Sequence, residues 1–413
     1  MRRQRLVAAL LWLSAAAAAV ALLAVLRARS CATRAAAPAA LLRGGSAAPA
    51  MLDGASANCS NNTCPTPALL TGLQQGAGSW PPLAEARLRC LSGVVTAVPG
   101  GRLANRVLEY ASAWSLGRRH GLRLALPAGV LQPLRGLFRN LSAAPLKALL
   151  GRPPCRGSGL SELMVLRHSA SDAQLYPVKR YVSWAARHSQ PVVLRKWIVL
   201  TETIVEMSGR LREEFQYKEE LARAAAETLS NVKREMALKA GPKYSKGSVP
   251  TAQVLAVGMH VRRTDYVAFL RYKYNATRGA GLGYYRRAAA RMRKLLQPEG
   301  AALAFVVTSD DTRWCDRVLL PALRNDFKVG VPVTGAFLVS WGGVHAPDRD
   351  LALLSSVDHS VIAYGTYGTW GALMAGGRTI VFDMAAANPD MPPGMSTGAM
   401  HFARRLPSWE MLT

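Results

Sequence analysis

The chain has 413 residues and a formal net charge of +27, with 52 Lys and Arg residues against 25 Asp and Glu residues. Half of the residues are hydrophobic and only 19% are charged, a composition that excludes a disordered basic chain. The length predicts about two or three folding units with packed cores, so a small scaffold that depends on disulfides is excluded as well.

The amino-terminal residues predict a membrane anchor. Residues 6–26 are uncharged and nearly all apolar, and at about 1.5 Å per residue a helix of that length crosses a bilayer core of about 30 Å. Because Arg2, Arg3 and Arg5 precede this segment, the positive-inside rule leaves residues 1–5 in the cytoplasm and the rest of the chain in the lumen. A cleaved signal peptide, which the alanine-rich composition also permits, is the alternative.

Residues 27–90 predict a flexible lumenal stem. They are rich in Ala, Pro, Gly and Ser and show no sustained helical or strand period. Four N-x-S/T sequons agree with a lumenal location, where glycosylation occurs; they are Asn58, Asn61, Asn140 and Asn275. Six cysteines could form disulfides in an oxidising lumen, but their spacing does not fix the pairing and contains no zinc-finger pattern.

Residues 91–247 begin with a β-α-β pattern. Residues 92–98 form a strand-like apolar run, residues 103–120 have a helical period, and residues 122–126 form a second strand. Mixed charges and a helical apolar period over residues 211–240 predict a long helix that bridges two halves of the protein.

Residues 248–413 alternate short apolar strands with helices. The predicted strands are residues 254–261, 302–309, 360–365 and 379–383, and the predicted helices are residues 284–296, 350–357 and 369–377. Such alternation predicts a parallel, doubly wound sheet. The chain is therefore expected to be an α/β protein of two Rossmann-like half-domains, residues 91–247 and 248–413, with a ligand in the cleft where the strand ends meet.

The positive charge is concentrated in residues 91–210, which carry a net charge of +12. The sequence has no zinc finger, no basic repeats interleaved with aromatic residues and no recognisable nucleic-acid module, so nucleic acid is not expected as a partner. A diphosphate ligand, an anionic glycan or a membrane surface accounts for this charge better.

A basic turn follows the predicted strand 254–261. It reads His260-Val-Arg-Arg-Thr-Asp-Tyr266 and lies where an open α/β sheet presents its ligand-binding groups. Two adjacent guanidinium groups can neutralise a diphosphate without a metal, because each donates bidentate hydrogen bonds. The alternative is a solvated loop with an internal ion pair.

Three further polar turns follow predicted strands. They are Gly100-Gly-Arg-Leu-Ala-Asn105, Thr308-Ser-Asp-Asp311 and Tyr364-Gly-Thr-Tyr-Gly-Thr-Trp370. Each can place backbone N–H groups or hydroxyls against an anionic ligand at a helix amino terminus. The alternatives are an ordinary turn at the first and helix capping by Ser309 or Asp310 at the second. The pair in Asp348-Arg-Asp350 precedes a predicted helix and is expected to cap it rather than to bind a metal.

The run HVRRTDYV at residues 260–267 resembles the HVRRxDY segment of the α1,2-fucosyltransferases. Residues 100–117, 305–315 and 347–377 resemble further segments of that family in the same order, and the likeness covers roughly residues 91–385. The resemblance implies a GT-B-like fold and a single-pass type II protein of the Golgi membrane. It also implies inverting transfer of L-fucose from GDP-fucose to the 2-hydroxyl of a terminal β-galactose on a glycan, with no metal and no other cofactor.

The resemblance also implies roles for individual residues. Arg262 would grip the diphosphate, and Asp265, or as second choice His260, would accept the proton of the acceptor hydroxyl. Donor binding is implied for a larger set, which comprises Arg102, Asn105, Arg263, Ser309, Asp310, Thr366, Tyr367, Gly368 and Thr369. Guanidinium groups fixed in a dry cleft would stabilise the charge on the leaving diphosphate.

Three positions depart from the family pattern. Ala104 and Arg106 stand where the family usually has Gly and Gln, and Thr264 stands where vertebrate α1,2 enzymes usually have Gly. The linkage therefore stays open, and an α1,6-like or other fucosyltransferase is the first alternative. A catalytically silent lumenal glycan-binding protein and a basic scaffold for anionic glycans are the others.

Overall fold

The structure is a computed structural model that describes residues 88–166, 178–240, 254–328, 333–340, 346–392 and 394–413. The predicted cytoplasmic head, anchor and nearly all of the stem lie outside the described residues, as do Asn58 and Asn61. Within the described ranges, no helix has the length and apolar character needed to cross a membrane. All described residues belong to one compact unit.

The elements are numbered in chain order within the described residues. The strands are β1 (Val94–Ala97), β2 (Arg123–Leu126), β3 (Phe138–Arg139), β4 (Ala144–Pro145), β5 (Val192–Leu194), β6 (Gln216–Tyr217), β7 (Val254–Val261), β8 (Ala302–Ser309), β9 (Thr334–Leu338), β10 (His359–Ile362), β11 (Thr379–Phe382) and β12 (Trp409–Leu412). The helices are α1 (Leu103–His120), α2 (Ala128–Leu137), α3 (Leu146–Leu150), α4 (Val178–Arg187), α5 (Thr201–Glu206), α6 (Leu211–Glu214), α7 (Glu219–Ala240), α8 (Tyr266–Tyr274), α9 (Leu282–Leu296), α10 (Thr312–Trp314), α11 (Leu320–Asp326), α12 (Pro347–Leu354), α13 (Thr366–Ala375), α14 (Met384–Ala387) and α15 (Gly398–Ala403).

Two parallel sheets organise the protein. The first has the order β4-β2-β1-β5 and the second the order β12-β11-β10-β7-β8-β9, and all neighbouring strands within each sheet are parallel. In the second sheet the first strand in the chain, β7, lies between β8 and β10, which is the strand order of a doubly wound dinucleotide-binding fold. The predicted α/β architecture with parallel sheets is confirmed.

The central strands were predictable because both of their faces are covered. Every residue of β8 is buried, and β7 is buried except for Leu255, which agrees with their continuous apolar sequences. Helix α1 has the predicted bounds and ends at Gly121, whose φ of +65° gives the left-handed conformation that commonly closes helices. The helix is buried along most of its length and carries polar side chains into the region between the sheets.

The long helix predicted over residues 211–240 is wrong in its first turns. Helix α6 ends at Glu214, Phe215 enters the core, and β6 pairs with β3 before α7 begins at Glu219. The Phe215 ring lies 4.6 Å from the Trp370 ring and 5.3 Å from that of Phe138, measured between centroids. Burying this aromatic ring favours the interruption of the helix.

Helix α7 does not bridge two halves as predicted. Its main contacts are with α12 and with strands β7, β8 and β9 of the second sheet. The layer of helices that covers the second sheet therefore includes residues before the predicted boundary at residue 247.

One disulfide lies in the first half. Cys90 and Cys155 are bonded across 65 residues of sequence, and the buried Cys315 is a free thiol. The bridge ties the turn before β1 to the loop after α3, beside a small core that contains Leu91 and Val94. Of the two described sequons, Asn140 follows β3 and Asn275 follows α8, and both side chains are exposed.

We expect the double substitution of Cys90→Ser with Cys155→Ser to lower the free energy of unfolding by about 2–4 kcal/mol. The bridge restricts the unfolded chain, and a loop of this length gives an effect of that size. Urea denaturation of both proteins without reductant measures it, with Cys315→Ala as the control because that thiol is unbridged. An unchanged midpoint in the double variant would contradict the assignment of the bridge.

Candidate active site

The carboxyl ends of four strands converge at the switch points of the two sheets. In the second sheet, β7 and β10 are neighbours whose following helices, α8 and α13, begin just past the strand ends. In the first sheet, β1 and β5 are the corresponding neighbours. Ligands of open α/β sheets bind in the crevice at such points, and the predicted polar turns all follow one of these strands or β8.

Two side-chain contacts join the loops of the first sheet to those of the second. The Thr366 hydroxyl donates a hydrogen bond to Asn105 Oδ1 at 2.7 Å, and Arg102 Nη1 lies 3.2 Å from Asp265 Oδ2. The structure therefore brings these four residues, which the sequence predicts to be at the site, to one place between the sheets.

Arg262 is held at the same place by two carboxylates. Its Nη2 lies 2.8 Å from Asp265 Oδ2 and 2.7 Å from Oδ1, and its Nε lies 3.4 Å from Asp310 Oδ2. Its side chain is only 19% exposed. Among the described residues Nη1 has no hydrogen-bond partner, so this nitrogen remains able to donate to a ligand.

Asp310 holds the basic turn in place from within the protein. Its side chain is 3% exposed and accepts the backbone N–H of Arg263 at 2.9 Å, the N–H of Thr264 at 3.2 Å and the Thr264 hydroxyl. Burial alone would raise the pKa of Asp310, but these hydrogen bonds and Arg262 outweigh it and hold the pKa below its ordinary value. The nucleotide contact implied for Asp310 stays a prediction, and in the structure its oxygens accept hydrogen bonds from the chain's own donors.

Ser309 and Thr369 are also occupied within the protein. Ser309 Oγ accepts the Asp311 N–H at 2.9 Å, and the Thr369 hydroxyl donates to the Gly365 carbonyl at 2.8 Å. Both side chains are buried. In the structure these two hydroxyls support the turns after β8 and β10, and their contacts with the GDP-fucose donor stay predictions.

His260 lies beneath the site rather than in it. Its ring is buried and lies 5.1 Å from the Tyr367 ring, and a Cβ added at Gly368 would be 2.7 Å from His260 Nδ1. Burial, with Arg262 as a second cause, lowers the pKa of His260 to about 4. A buried imidazole of that pKa is a poor proton acceptor, so these surroundings favour Asp265 over His260 as the base, and the role of His260 stays a prediction. Gly368 and Tyr367 enclose the imidazole, and the Tyr367 hydroxyl donates to the Pro347 carbonyl.

Arg263 and Asp265 have different surroundings. The Arg263 guanidinium lies 3.9 Å over the Trp314 ring, with its Nε 3.3 Å from Asp311, whereas Arg262 pairs with Asp265 and Asp310. Asp265 is 45% exposed and pairs with Arg102 and Arg262. Of the three residues predicted to be catalytic, Arg262 and Asp265 are partly exposed and His260 is buried.

Glu109 is a polar residue of the site region that the sequence interpretation missed. Its Oε2 accepts the Gly100 N–H at 3.0 Å and its Oε1 accepts the Trp197 N–H at 2.8 Å. Burial raises the pKa of Glu109 to about 7 against the opposing effect of these hydrogen bonds and of Arg106. The sequence signal for Glu109 is a single acidic residue among the apolar residues of α1. A buried carboxylate without a partner is rare, so such a residue indicates a specific contact.

Asp348 and Asp350 lie in the first turn of α12, as predicted, although the capping residue itself is Ala346. Asp350 is buried and accepts a hydrogen bond from the Ser340 hydroxyl at 2.7 Å. In the described part of the chain, no group of three or more His, Cys, Asp or Glu side chains could hold a metal ion. Transfer without a metal stays a prediction.

A separate open cavity of about 600 Å³ lies near the ends of β11 and β12. Its lining includes Arg278, Tyr284, Arg287 and Thr413 and none of the residues predicted for the site. This cavity is therefore not the place where the polar turns converge.

Two parallel sheets that meet at their switch points, with arginines between them, are the arrangement predicted for a GT-B-like glycosyltransferase. Residues 210–398 match the model of the family described as Glycosyl transferase family 11. The chain is 29% identical over 290 residues to galactoside 2-alpha-L-fucosyltransferase Sec1 of Mus musculus, covering 70% of this chain and 66% of that protein. It is 27% identical over 292 residues to galactoside alpha-(1,2)-fucosyltransferase 2 of Mus musculus, covering 70% and 71%. Over residues 210–398 the chain is therefore similar to glycosyl transferase family 11.

Solved structures with a similar arrangement include a mutant of Arabidopsis thaliana FUT1 in complex with GDP. That likeness has a TM-score of 0.43 at 13% identity and covers 76% of this chain and 77% of the other. Another is the alpha-1,6-fucosyltransferase NodZ of Bradyrhizobium soaked with GDP-fucose, with a TM-score of 0.40 at 14% identity, covering 72% and 97%.

Proposed function

We propose that the protein transfers L-fucose from GDP-fucose to the 2-hydroxyl of a terminal β-galactose on a glycan, with inversion and without a metal. The observation that carries this proposal is Arg262, fixed between two carboxylates where the loops of both sheets meet. The names of the family relatives, which are galactoside α1,2-fucosyltransferases, support the sugar, the acceptor and the linkage. The alignment with Sec1 covers 66% of that protein, so the chain spans slightly less than two thirds of its length.

The role of the arginines is to stabilise the negative charge of the leaving diphosphate. As the bond to fucose breaks, negative charge grows on the leaving phosphate oxygen, and donors fixed in advance stabilise that charge without reorganising. Arg262 Nη1 and the exposed Arg102 are the donors that the site offers. Their orientation depends on Asp310 and Asp265, which fix the Arg262 side chain from two sides.

Asp265 is the group that would accept the proton of the acceptor hydroxyl. Its carboxylate is nearly half exposed and lies between Arg102 and Arg262. An oxocarbenium-like transition state needs little help from a base, so a carboxylate within reach of the hydroxyl suffices. The same carboxylate also orients Arg262 and so contributes to both ends of the reaction.

We also propose that residues 6–26 anchor the protein in the Golgi membrane, with the catalytic region in the lumen. The Cys90–Cys155 bridge supports this location, because disulfides form and persist in the oxidising secretory pathway. The exposed sequons Asn140 and Asn275 agree with it.

The test is transfer by the full chain purified in detergent, with GDP-fucose, EDTA and a panel of β-galactosides. We expect release of GDP and a product in which methylation analysis finds fucose on the 2-hydroxyl of galactose. Absence of turnover with every galactoside would overturn the proposal. A product of another linkage would favour the α1,6-like alternative, and glycan binding without GDP affinity would favour the silent glycan-binding protein.

A further inference from the structure

Trp197 is an exposed aromatic residue in a costly backbone conformation. It lies on the loop after β5, its φ is +65°, and 61% of its surface is exposed. A bulky residue in the left-handed region costs on the order of 1–3 kcal/mol, and such strain is concentrated at functional sites. Burial of apolar surface usually offsets the free-energy cost of such a backbone conformation, but the exposed indole ring buries little of it.

Glu109 and Gly100 hold Trp197 in this conformation. The Trp197 N–H donates to Glu109 Oε1, while the Glu109 Oε2 accepts the Gly100 N–H. A Cβ added at Gly100 would lie 2.8 Å from both Cδ1 and Nε1 of the indole, so the ring edge packs directly against the glycine backbone. The position of the ring is therefore specified by a buried carboxylate and by a residue without a side chain.

The loop that contacts the indole also reaches the proposed site. Gly100 is followed two residues later by Arg102, whose guanidinium pairs with Asp265. Lys196 Nζ lies 4.4 Å from the centroid of the Trp197 ring, so the exposed apolar area is on the remainder of the indole. The structure thus presents a flat apolar surface at the switch point of the first sheet, beside the loop that carries Arg102.

The exposed indole face of Trp197 is suited to binding a sugar ring. One side of a β-galactose ring carries mainly C–H groups and stacks well on an indole, which offers a large, flat and rigid apolar face. A guanine base could also stack on an indole, but the diphosphate-binding arginine Arg262 belongs to the second sheet, whose doubly wound order is the one that holds nucleotides. The acceptor is therefore expected to bind at the loops of the first sheet.

We infer that Trp197 is the platform on which the terminal galactose of the acceptor stacks, and that Glu109 positions this platform. The inference rests on the proposed function and adds a residue for acceptor recognition to it. Trp197 touches the substrate, whereas Glu109 acts through the Trp197 backbone.

The experiment compares acceptor and donor binding in Trp197→Ala and Trp197→Tyr. We expect Trp197→Ala to raise the acceptor KM at least about tenfold, a size typical of a lost aromatic stacking contact, and to leave the Kd for GDP unchanged. Trp197→Tyr, which keeps an aromatic face, should stay within about threefold of the wild type. The matched control is Trp184→Ala on α4, since Trp184 is 41% exposed but stacks on Tyr181 and His188.

An unchanged acceptor KM in Trp197→Ala would overturn the inference, as would an equal rise in Trp184→Ala. A GDP Kd that weakens in parallel with the acceptor KM would assign the indole to guanine and overturn it too. Saturation-transfer NMR with methyl β-galactoside and the full chain in detergent separates this inference from the proposed reaction. Binding that Trp197→Ala abolishes supports the platform even where no transfer occurs, and a wild type that binds no galactoside contradicts it.

Glu109→Gln tests the positioning role. The glutamine amide nitrogen cannot accept a hydrogen bond, so either the Gly100 N–H or the Trp197 N–H loses its partner. We expect the acceptor KM to rise severalfold while the GDP Kd and the hydrolysis of GDP-fucose without acceptor stay unchanged. A general loss of both functions would assign Glu109 to the stability of the fold instead.

Discussion

Replacement of Arg262 by alanine should lower kcat/KM for transfer by about 10²–10³-fold, the cost of removing one donor that stabilises charge in a transition state. GDP affinity should fall as well, because two carboxylates hold this guanidinium at the meeting point of the loops. Removal of the cation also leaves the carboxylates of Asp265 and Asp310 with one partner fewer. Steady-state kinetics and GDP titration measure the two effects.

Two variants make this prediction specific. Arg262→Lys keeps the charge but loses the planar fork, so we expect an intermediate loss. Arg263→Ala is the matched control, because the neighbouring arginine already stacks on Trp314 and pairs with Asp311. A larger loss in Arg263→Ala than in Arg262→Ala would reverse the assignment of the diphosphate-binding residue.

Replacement of Asp310 by alanine should lower the free energy of unfolding by about 3–5 kcal/mol, the usual effect of removing one partner of a buried ion pair. The substitution leaves Arg262 and two backbone N–H groups of the basic turn without their acceptor. Denaturant unfolding of the wild type and the variant measures the difference, and turnover should fall with the loss of order in the turn.

The pH dependence follows from the lowered pKa of Asp310. A carboxyl group whose pKa is lower in the folded state stabilises the fold above its unfolded pKa, about 3.9, and loses this effect only as the pH falls through the folded value. The stability difference between wild type and Asp310→Asn should therefore be constant from about pH 5 to 8.

Asp311→Asn is the control for Asp310. The Asp311 carboxylate caps the Trp314 N–H and pairs with Arg263 near the surface, so its replacement should cost about 1 kcal/mol. A similar small cost at Asp310 would show that the turn does not depend on the buried carboxylate.

The local sequence correctly predicts the strands that are buried on both faces and the long helix that ends at a glycine. Strands β7 and β8 are covered on both faces and read as continuous apolar runs, and α1 ends at a glycine that the left-handed conformation requires. The sequence pattern does not reveal the break in the predicted helix between α6 and α7. The break depends on Phe215, whose aromatic partners are distant in sequence. A helical period cannot report a contact of that kind.

The location of the site could also be predicted, but not the task of each residue. Parallel topology places every polar turn at a strand's carboxyl end, so Arg262, Asp265 and Thr366 were found. Ligand contacts, helix caps and loop supports all use Ser, Thr and Asp. Only the three-dimensional neighbours distinguish the buried Asp310 from the exposed Asp265, and only they connect Glu109 to Trp197.

The aromatic cluster around Phe215 has a consequence for how the protein unfolds. Tyr110 and Phe138 come from the first half of the chain, and Trp370 comes from the helix after β10, yet all three rings contact Phe215. Opening either sheet removes contact partners from the other, so we expect the two halves to melt in one cooperative transition in thermal unfolding rather than as independent domains. On that expectation, the half that contains Trp197 does not fold without the half that contains Arg262.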